Sequence, residues 1–239
     1  MMNTIKNVRA IFFDVFGTVF DWHNSIYQET KTFTKENNLT FDEFKFTDNW
    51  RSGFRLLQSL VAKGERSYLS MDDIHMEVLN KLLEELKIQN IDKNKLIEFN
   101  QSWHRLIPWS DSLSGLRDLK ENYIISALSN GNLSMLVKLS KNSNTPWDTI
   151  LSTEFFGTYK PDPKVYLGAI EMLDVLPKES MMVASHAYDL DGANRAGMKT
   201  CYVHRPNEFG TGKSEDYGDL SRFDIVVESF EDISKHLSN

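Results

Sequence analysis

Polar side chains that could perform covalent chemistry stand at the ends of three short apolar runs in this chain. The acid Asp14 directly follows the first run, and a carboxylate can act as a covalent nucleophile. An aspartate after a strand is also a common turn former or helix cap, so this residue alone does not identify a site. What favours a site is that polar side chains end all three runs: Asp14 after residues 10–13, Ser129 and Asn130 after 123–128, and Ser185 and His186 after 181–184.

The three apolar runs have the length of β-strands, and amphipathic helical patterns follow them along the chain. Continuous apolar runs that alternate with helices are typical of a parallel sheet covered on both faces. In such sheets ligands bind beyond the carboxyl ends of the strands, so polar residues that end different strands can meet in one crevice. The sequence therefore predicts a Rossmann-like, doubly wound α/β core, with further strands near residues 150–153, 201–204 and 224–227.

A helical segment separates the first apolar run from the second. Asp92 is placed as a helix N-cap in this segment, and Ser25 is interpreted as part of a capping box that opens an earlier helix. We predict an all-helical cap domain at residues 23–106, inserted over the crevice of a core made of 1–22 and 107–239. Helical spacing supports it in three sets of apolar residues: Trp50, Phe54, Leu57 and Val61; Ile74, Val78, Leu82 and Leu86; Leu96, Phe99, Trp103 and Leu106.

Composition limits the partners and the compartment. The formal net charge of −7 over 239 residues argues against nucleic-acid binding, because phosphate contacts need clustered Lys and Arg. The single cysteine, Cys201, suits a reducing compartment. No apolar run approaches the ~20 residues that span a bilayer, and the first residues do not resemble a signal peptide. We expect a soluble cytoplasmic protein with no membrane or nucleic-acid partner.

Four segments of the chain, taken in order, resemble the four motifs of the haloacid dehalogenase (HAD) superfamily. They are Phe12-Phe13-Asp14-Val15-Phe16-Gly17-Thr18, Leu128-Ser129-Asn130-Gly131-Asn132, Tyr159-Lys160-Pro161-Asp162-Pro163-Lys164-Val165-Tyr166 and Ala184-Ser185-His186-Ala187-Tyr188-Asp189-Leu190-Asp191-Gly192-Ala193. The resemblance covers nearly the whole chain. It implies a doubly wound core in which Asp14 forms a covalent ester with the substrate, and water then hydrolyses that ester.

Two positions separate this chain from the Mg²⁺-dependent phosphatases that make up most of that superfamily. Phe16 stands where those enzymes carry a second aspartate as acid and base, and Ala184-Ser185 replaces a Gly-Asp pair in the fourth motif, which leaves Asp189. Mg²⁺ needs hard oxygen ligands, and a phosphoryl leaving group needs a proton donor. We therefore expect no metal and no cofactor.

The pattern Asp-x-Phe-Gly-Thr resembles the L-2-haloacid dehalogenase branch. Halide is a good leaving group that needs no protonation, so an apolar Phe16 is compatible with that reaction. The resemblance implies hydrolytic dehalogenation of a short, anionic 2-haloalkanoic acid, and it suggests a homodimer. For substrate and halide it implies that Arg51 and Asn130 receive the halide, that Ser129 binds the substrate carboxylate and that Phe16 walls the halide pocket. It implies that Lys160 pairs with the acids and holds the substrate carboxylate or its surroundings. Around the nucleophile, it implies that Thr18 and Tyr166 support Asp14, and that Ser185 and Asp189 orient Asp14, Lys160 and the hydrolytic water.

The fourth motif departs from the best-known dehalogenases in two places. His186 replaces an asparagine and Tyr188 replaces a tryptophan. A histidine in neutral form near pH 7 can activate or hold water, which is the hypothesis for His186.

Several alternatives stay open from the sequence. Arg51 could be a surface residue that pairs with Asp48 or Glu43, and Arg55 lies one helical turn away on nearly the same face. Trp103 has the spacing of a core residue, and His104 and Arg105 are more simply explained by pairing with acidic neighbours. At the level of function, a Mg²⁺-dependent phosphatase or phosphonatase and a non-catalytic binding protein remain rivals.

Overall fold

A computed structural model describes residues 5–210 and 217–238, and its centre is a six-stranded parallel sheet. The six strands coincide with the six apolar runs that were expected to form strands. Two further pairs of short strands lie outside this sheet. The strands are β1 (Ile5–Lys6), β2 (Ala10–Phe13), β3 (Phe20–Asp21), β4 (Ile107–Pro108), β5 (Ile124–Ser129), β6 (Thr149–Ser152), β7 (Ser180–Ala184), β8 (Lys199–Val203), β9 (Ile225–Val227) and β10 (Leu237–Ser238).

Both faces of the sheet are buried, which explains why its strands are apolar without alternation. All four residues of β2 have no exposed surface. Ile11 and Phe13 belong to the core on one face, and Ala10 and Phe12 belong to the core on the other. Because successive side chains of a strand point to opposite faces, a strand covered on both sides needs an apolar residue at every position.

The order of strands in the sheet is β6-β5-β2-β7-β8-β9, with β2 in the middle. Along the chain, β5 and β6 add to one side of β2, and β7, β8 and β9 then add to the other side. The end of β2 is therefore a topological switch point. In register, Phe13 of β2 lies beside Ala127 of β5 and Val183 of β7. The residues that follow these three strands consequently open into one crevice.

Eight α-helices complete the part of the chain that the structure describes. Helices α1–α4 lie between β3 and β4, which pair antiparallel through Phe20 with Pro108 and Asp21 with Ile107. The segment between the first two core strands is therefore helical, as predicted. The helices are α1 (Trp22–Glu36), α2 (Glu43–Ala62), α3 (Met71–Glu85), α4 (Lys93–Asn100), α5 (Ser112–Lys120), α6 (Leu133–Ser143), α7 (Pro163–Met172) and α8 (Ala187–Arg195).

The helix caps confirm one local prediction and correct another. Asp92 caps α4, because its Oδ1 accepts hydrogen bonds from the backbone N–H groups of Asn94 and Lys95. The predicted capping box at Ser25 is wrong. Helix α1 already begins at Trp22, and its N-cap is Asp21. The Ser25 hydroxyl lies inside the helix, where it donates 2.5 Å to the Asp21 carbonyl.

The third predicted set of helical positions does not form one helix. Helix α4 ends at Asn100, and a 3₁₀ turn, Gln101–His104, follows it, which leaves Leu106 beyond the helical segment. The other 3₁₀ segments are Thr153–Phe156, Pro177–Glu179, Leu220–Arg222 and Phe230–His236. None of the helices in the described ranges is long and apolar enough to cross a bilayer.

Candidate active site

Asp14 is held at the end of β2 by three side chains. It is 6% exposed, and its backbone N–H donates to the Val183 carbonyl of the neighbouring strand. Its Oδ1 accepts from Lys160 Nζ at 2.8 Å. Its Oδ2 accepts from Thr18 Oγ1 at 2.8 Å and lies 3.0 Å from His186 Nδ1.

These partners keep the nucleophile ionised. Burial by itself would raise the pKa of Asp14, but the Lys160 ammonium and the His186 ring together hold it well below its usual 3.8. An ionised carboxylate in a dry site is a competent nucleophile, because no proton has to leave before it attacks. Asp14 is thus charged throughout the physiological pH range.

Lys160 lies between two carboxylates behind the nucleophile. Its Nζ is 2.8 Å from Asp14 and 2.6 Å from Asp189 Oδ2. Burial alone would lower the pKa of Lys160, but the charges of Asp14 and Asp189 raise it above 10.5. The Tyr166 hydroxyl donates to the other oxygen of Asp189 at 2.6 Å. The lysine is therefore a fixed positive charge that keeps the two acids from repelling each other.

His186 is clamped between Asp14 and a second acid, Glu208, which is completely buried. Its Nε2 lies 2.8 Å from Glu208 Oε1. The same oxygen accepts from Trp22 Nε1 at 3.0 Å, and Oε2 accepts from Ser185 Oγ at 3.3 Å. These bonds hold the carboxylate of Glu208 against the imidazole ring.

The charge state of His186 differs from the expectation. Burial would lower its pKa, but the Glu208 carboxylate and the hydrogen bond with Asp14 raise the pKa well above 6.5. Burial raises the pKa of Glu208 and the charge of His186 lowers it, with a net decrease. The expectation of a neutral His186 near pH 7 is wrong for the free enzyme. Two carboxylates, one on each ring nitrogen, favour the imidazolium.

Gly17 allows Glu208 to approach the nucleophile loop. Its φ of +88° lies in the left-handed region, and a Cβ built there would be 2.2 Å from Glu208 Oε1. Glycine is therefore required at this position for its backbone conformation and for the space it leaves. Next to it, the Thr18 hydroxyl accepts from the Ser185 backbone N–H at 2.9 Å, which ties the loop after β2 to the end of β7.

Arg51 on α2 is buried without an acidic partner. It is 7% exposed, and its guanidinium lies 4.1 Å from the ring centre of Phe54 and 5.2 Å from that of Trp22. Within residues 5–210 and 217–238 it forms no ion pair, and its Nε has no hydrogen-bond partner. Asp48, the partner considered from the sequence, pairs with His23 at 3.1 Å instead.

Arg51, not Arg55, faces Asp14 across a small cavity. Arg55 lines a separate open groove and lies over the ring of Tyr188. The cavity is small, with a volume of about 30 Å³, which is room for one or two water molecules. Its walls are Asp14, Phe16, Ser129, Asn130, Gly131, His186 and Tyr188 from the core, and Arg51, Phe54, Gln58, Met71, His75 and Trp103 from the helical segment.

Asn130 presents a donor to this cavity. Its Oδ1 accepts from the Lys160 backbone N–H at 2.9 Å, so the amide NH₂ is the end available to an anion. Ser129 lines the same wall, and its Oγ accepts from the Gly131 N–H at 3.2 Å. The carboxylate of Asp14 therefore faces a guanidinium, an amide and a hydroxyl inside one enclosed space.

The predicted site residues fall into two layers. The cavity itself is lined by Asp14, Phe16, Arg51, Ser129, Asn130, His186 and Tyr188. Lys160, Thr18, Ser185, Asp189 and Tyr166 are buried and do not line it. Thr18 and Tyr166, which were expected to support the nucleophile, hydrogen-bond to the carboxylates of Asp14 and Asp189.

The residues where the chain returns from the helical segment to the core are largely structural, as the simpler interpretation of the sequence predicted. His104 lies 2.7 Å from Asp72, and Arg105 lies 2.7 Å from Glu29. Trp103 packs in the core, stacked on His75 at 4.2 Å, and also forms part of the cavity wall.

Two titratable residues of the site, Glu208 and His75, were not predicted from the sequence. Glu208 follows β8 in a short turn, so the rule that polar residues beyond strand ends form the site would have included it. His75 lies within a regular helical pattern, and nothing in that pattern separates it from a surface position.

The acids around Asp14 do not fit a divalent cation. The ammonium of Lys160 lies between Asp14 and Asp189, and the His186 imidazolium takes the other oxygen of Asp14. A Mg²⁺ ion would face two positive charges there, and Phe16 supplies no oxygen ligand. Within the described residues no group of three His, Cys, Asp or Glu side chains is placed to hold a metal.

Comparison with known proteins agrees with this geometry. A sequence model of haloacid dehalogenase-like hydrolases matches residues 8–197. Over 206 residues the chain is 29% identical to (S)-2-haloacid dehalogenase 1 of Pseudomonas sp. (strain CBS-3), which covers 84% of this chain and 86% of that protein.

Solved structures show the same relationship. A defluorinating L-2-haloacid dehalogenase has 36% identity and a TM-score of 0.92, with 95% of this chain and 94% of that chain covered. The L-2-haloacid dehalogenase from Xanthobacter autotrophicus with chloropropionic acid covalently bound has 25% identity and a TM-score of 0.79, with 95% and 97% covered. The chain therefore belongs to the haloacid dehalogenase-like hydrolases, in the L-2-haloacid dehalogenase branch.

Proposed function

We propose that this protein hydrolyses the carbon–halogen bond of short 2-haloalkanoic acids through an ester on Asp14. The observation that carries the proposal is that an ionised Asp14 and the buried Arg51, which forms no ion pair within the described residues, face each other across one small cavity. The apolar wall of the cavity at Phe16 and Phe54 suits a carbon–halogen group. The related proteins named for this activity, one of them with chloropropionic acid covalently bound, support the same reaction.

In the first step an Asp14 carboxylate oxygen attacks the carbon that bears the halogen. A C–O bond forms as the C–X bond breaks, the bonding electrons leave with the halide, and the configuration at carbon inverts. The guanidinium of Arg51 and the amide of Asn130 stabilise the departing anion in a site with little water. By analogy with oxyanion holes, each such donor contributes roughly 3–4 kcal/mol to the transition state. Ser129 is the hydroxyl placed to bind the substrate carboxylate.

In the second step water attacks the carboxyl carbon of the Asp14 ester. The ester oxygen that came from Asp14 leaves with the product as its hydroxyl group, and the oxygen of water restores the carboxylate. Each turnover consumes one water and releases a 2-hydroxy acid, a halide and a proton. Lys160 and Thr18 remain in place as donors to the acyl group.

Esterification also changes what His186 can do. Once Asp14 is an ester it carries no negative charge, so only Glu208 still favours the imidazolium. The pKa of His186 then falls, and the ring releases its Nδ1 proton to solvent, which is the proton set free in each turnover. The deprotonated Nδ1, which faces the Asp14 oxygen at 3.0 Å, can then accept a proton from water. The cation that helps ionise the nucleophile in the first step thereby becomes the base of the second.

A single-turnover reaction in ¹⁸O-labelled water tests the proposal. With enzyme in excess over substrate, the label is expected in Asp14, detected by peptide mass spectrometry, while the first product carries ordinary oxygen. Halide release from chloroacetate and bromoacetate is expected to be the same with and without EDTA. Label found only in the product would refute the ester, and chelator-sensitive release of phosphate from an aryl phosphate would favour the phosphatase alternative.

The helical segment at residues 23–106 is proposed to act as a cap over the core. Arg51, Phe54 and His75 reach the cavity from this segment, opposite Asp14. A substrate bound between the two parts would be shielded from water, which strengthens the electrostatic contacts that the reaction needs. A homodimer and a cytoplasmic location stay predictions from the sequence.

A further inference from the structure

His75 is a buried polar side chain in the cavity wall with no assigned role. It lies on α3 and is 1% exposed. Within the part of the chain that the structure describes, neither of its ring nitrogens has a hydrogen-bond partner. His186, the other histidine of the cavity, has a partner on both nitrogens.

The packing of His75 does not require a histidine. Its ring stacks on Trp103 at 4.2 Å and meets the ring of Phe54 at 5.5 Å, contacts that an apolar aromatic side chain would make equally well. Burying two polar nitrogens without partners costs stability, so a phenylalanine would pack at lower free energy. The nitrogens are therefore explained better by a ligand in the cavity than by the fold.

His75 lies on the Arg51 side of the cavity. Both come from the helical segment, and Phe54 contacts the guanidinium of one and the ring of the other. Ser129 and Asn130 form the opposite wall, from the core. A group bound between Asp14 and Arg51 would therefore share the cavity with His75.

The environment keeps His75 uncharged. Burial lowers its pKa, Asp72 opposes this, and the charges of Arg51 and His104 lower it further, to about 3. A neutral imidazole carries one N–H donor. The neutral ring can bind an anion without repelling the guanidinium of Arg51, whereas a second cation would repel it.

We propose that His75 donates its N–H to the departing halide beside Arg51 and so helps to set which halogens the enzyme removes. The proposal rests on the proposed dehalogenation, because it assigns a contact within that reaction. A hydrogen-bond donor binds small, charge-dense fluoride and chloride more strongly than large bromide. The contribution of His75 is therefore expected to decrease from fluoride to bromide.

Halide binding to the resting enzyme tests this contact without turnover. Chloride binding can be followed by broadening of the ³⁵Cl NMR line, with fluoride and bromide as competitors and glycolate as the probe for the carboxylate end. In His75→Phe, chloride affinity is expected to fall about tenfold, as for loss of one hydrogen bond to a charged group. Bromide affinity should fall about twofold, and glycolate affinity should stay unchanged.

Catalysis supplies the second readout. The ratio of kcat/KM for bromoacetate to that for chloroacetate is expected to rise several-fold in His75→Phe. His75→Gln, which keeps an N–H donor, should recover part of the lost chloride affinity. Thermal unfolding checks the fold, and the midpoint of His75→Phe should equal or exceed that of the wild type. His75→Leu is the second variant should the larger ring not fit.

Two results would overturn the proposal. One is an equal loss of affinity for all three halides, and the other is a loss for glycolate with none for chloride. A failure of the proposed function is seen separately, because the wild-type enzyme would then release no halide from either haloacetate.

Discussion

Nε2 of His186 lies 2.8 Å from Oε1 of Glu208, and neither side chain is more than 1% exposed. This carboxylate and Asp14 bond to opposite nitrogens of the imidazole, and a second route joins them through the hydroxyls of Ser185 and Thr18. Trp22 and Ser185 hold its two oxygens in position. The site therefore contains an acid, a histidine and a nucleophile in one line, although the reaction needs no proton to be removed from the nucleophile itself.

Replacing Glu208 by Gln should slow ester hydrolysis more than ester formation. Without its charge the protonated form of His186 is disfavoured, and the ring loses the partner that stabilises it once it has taken the proton of water. A fall of about 100-fold in the hydrolysis rate is expected, the order of one general-base contribution. Rapid-quench mass spectrometry should then show Asp14 ester accumulating. Equal slowing of both steps would contradict this role.

His186→Asn is the companion variant. It removes the base and leaves Glu208 without its cationic partner, so the ester should again accumulate after a burst of halide release. Hydrolysis of the trapped ester at the wild-type rate would exclude His186 as the base.

The pH dependence of ester formation follows from the pKa of Asp14. Because its pKa lies well below 3.8, the nucleophile is fully ionised from about pH 5 upward. The rate of halide release in single turnover should therefore be flat between about pH 5 and pH 8. A rate that rises through this range would mean that Asp14 is protonated in the free enzyme.

The same charged groups make the free energy of unfolding depend on pH. The folded-state pKa of His186 is raised, so its contribution is fully present below pH 6.5 and is lost as pH rises through the raised value. The pKa values of Asp14 and Glu208 are lowered, so their contributions are present above their ordinary values and are lost as pH falls. Urea unfolding at several pH values should show the alkaline loss in the wild type and a smaller one in His186→Asn.

Gly17→Ala should destabilise the protein and impair catalysis together. The new Cβ would be 2.2 Å from Glu208 Oε1, and the backbone has a φ of +88°. Gly64→Ala is a matched control, since Gly64 has a φ of +72° and no atom within 4 Å of the Cβ position. Gly64→Ala should lower the free energy of unfolding by about 1–2 kcal/mol, because of its backbone conformation alone. Gly17→Ala should lower the free energy of unfolding by clearly more than the control and should slow ester hydrolysis. Equal losses of stability in the two variants would contradict the close contact with Glu208.

Arg51→Gln and Arg55→Gln form a second matched pair. Loss of the buried guanidinium should lower kcat/KM by about 100- to 1,000-fold, as for removal of one preorganised donor. Arg55 lies outside the cavity, so its substitution should have less than about a tenfold effect, mostly on KM and reduced by added salt. Comparable losses in kcat for the two variants would show that the assignment of Arg51 is wrong.

The sequence by itself determined the sheet and the position of the nucleophile. A strand that is buried on both faces must be apolar at every residue, so the six core strands could be recognised from short continuous runs such as Ala10–Phe13. Ligands bind beyond strand ends in such sheets, so the sequence predicts that Asp14, Asn130 and His186 lie in one crevice. These inferences use only local pattern and a general rule of topology.

Tertiary structure decided what depends on contacts between distant segments. Arg51 and Arg55 lie one turn apart on α2, and only the packing against Trp22 and Phe54 selects Arg51 for the cavity. The charge of His186 depends on Glu208, which approaches it from the turn after β8. A pKa is set by the distance to other charges and by burial, and neither quantity is encoded in the residues adjacent to a histidine.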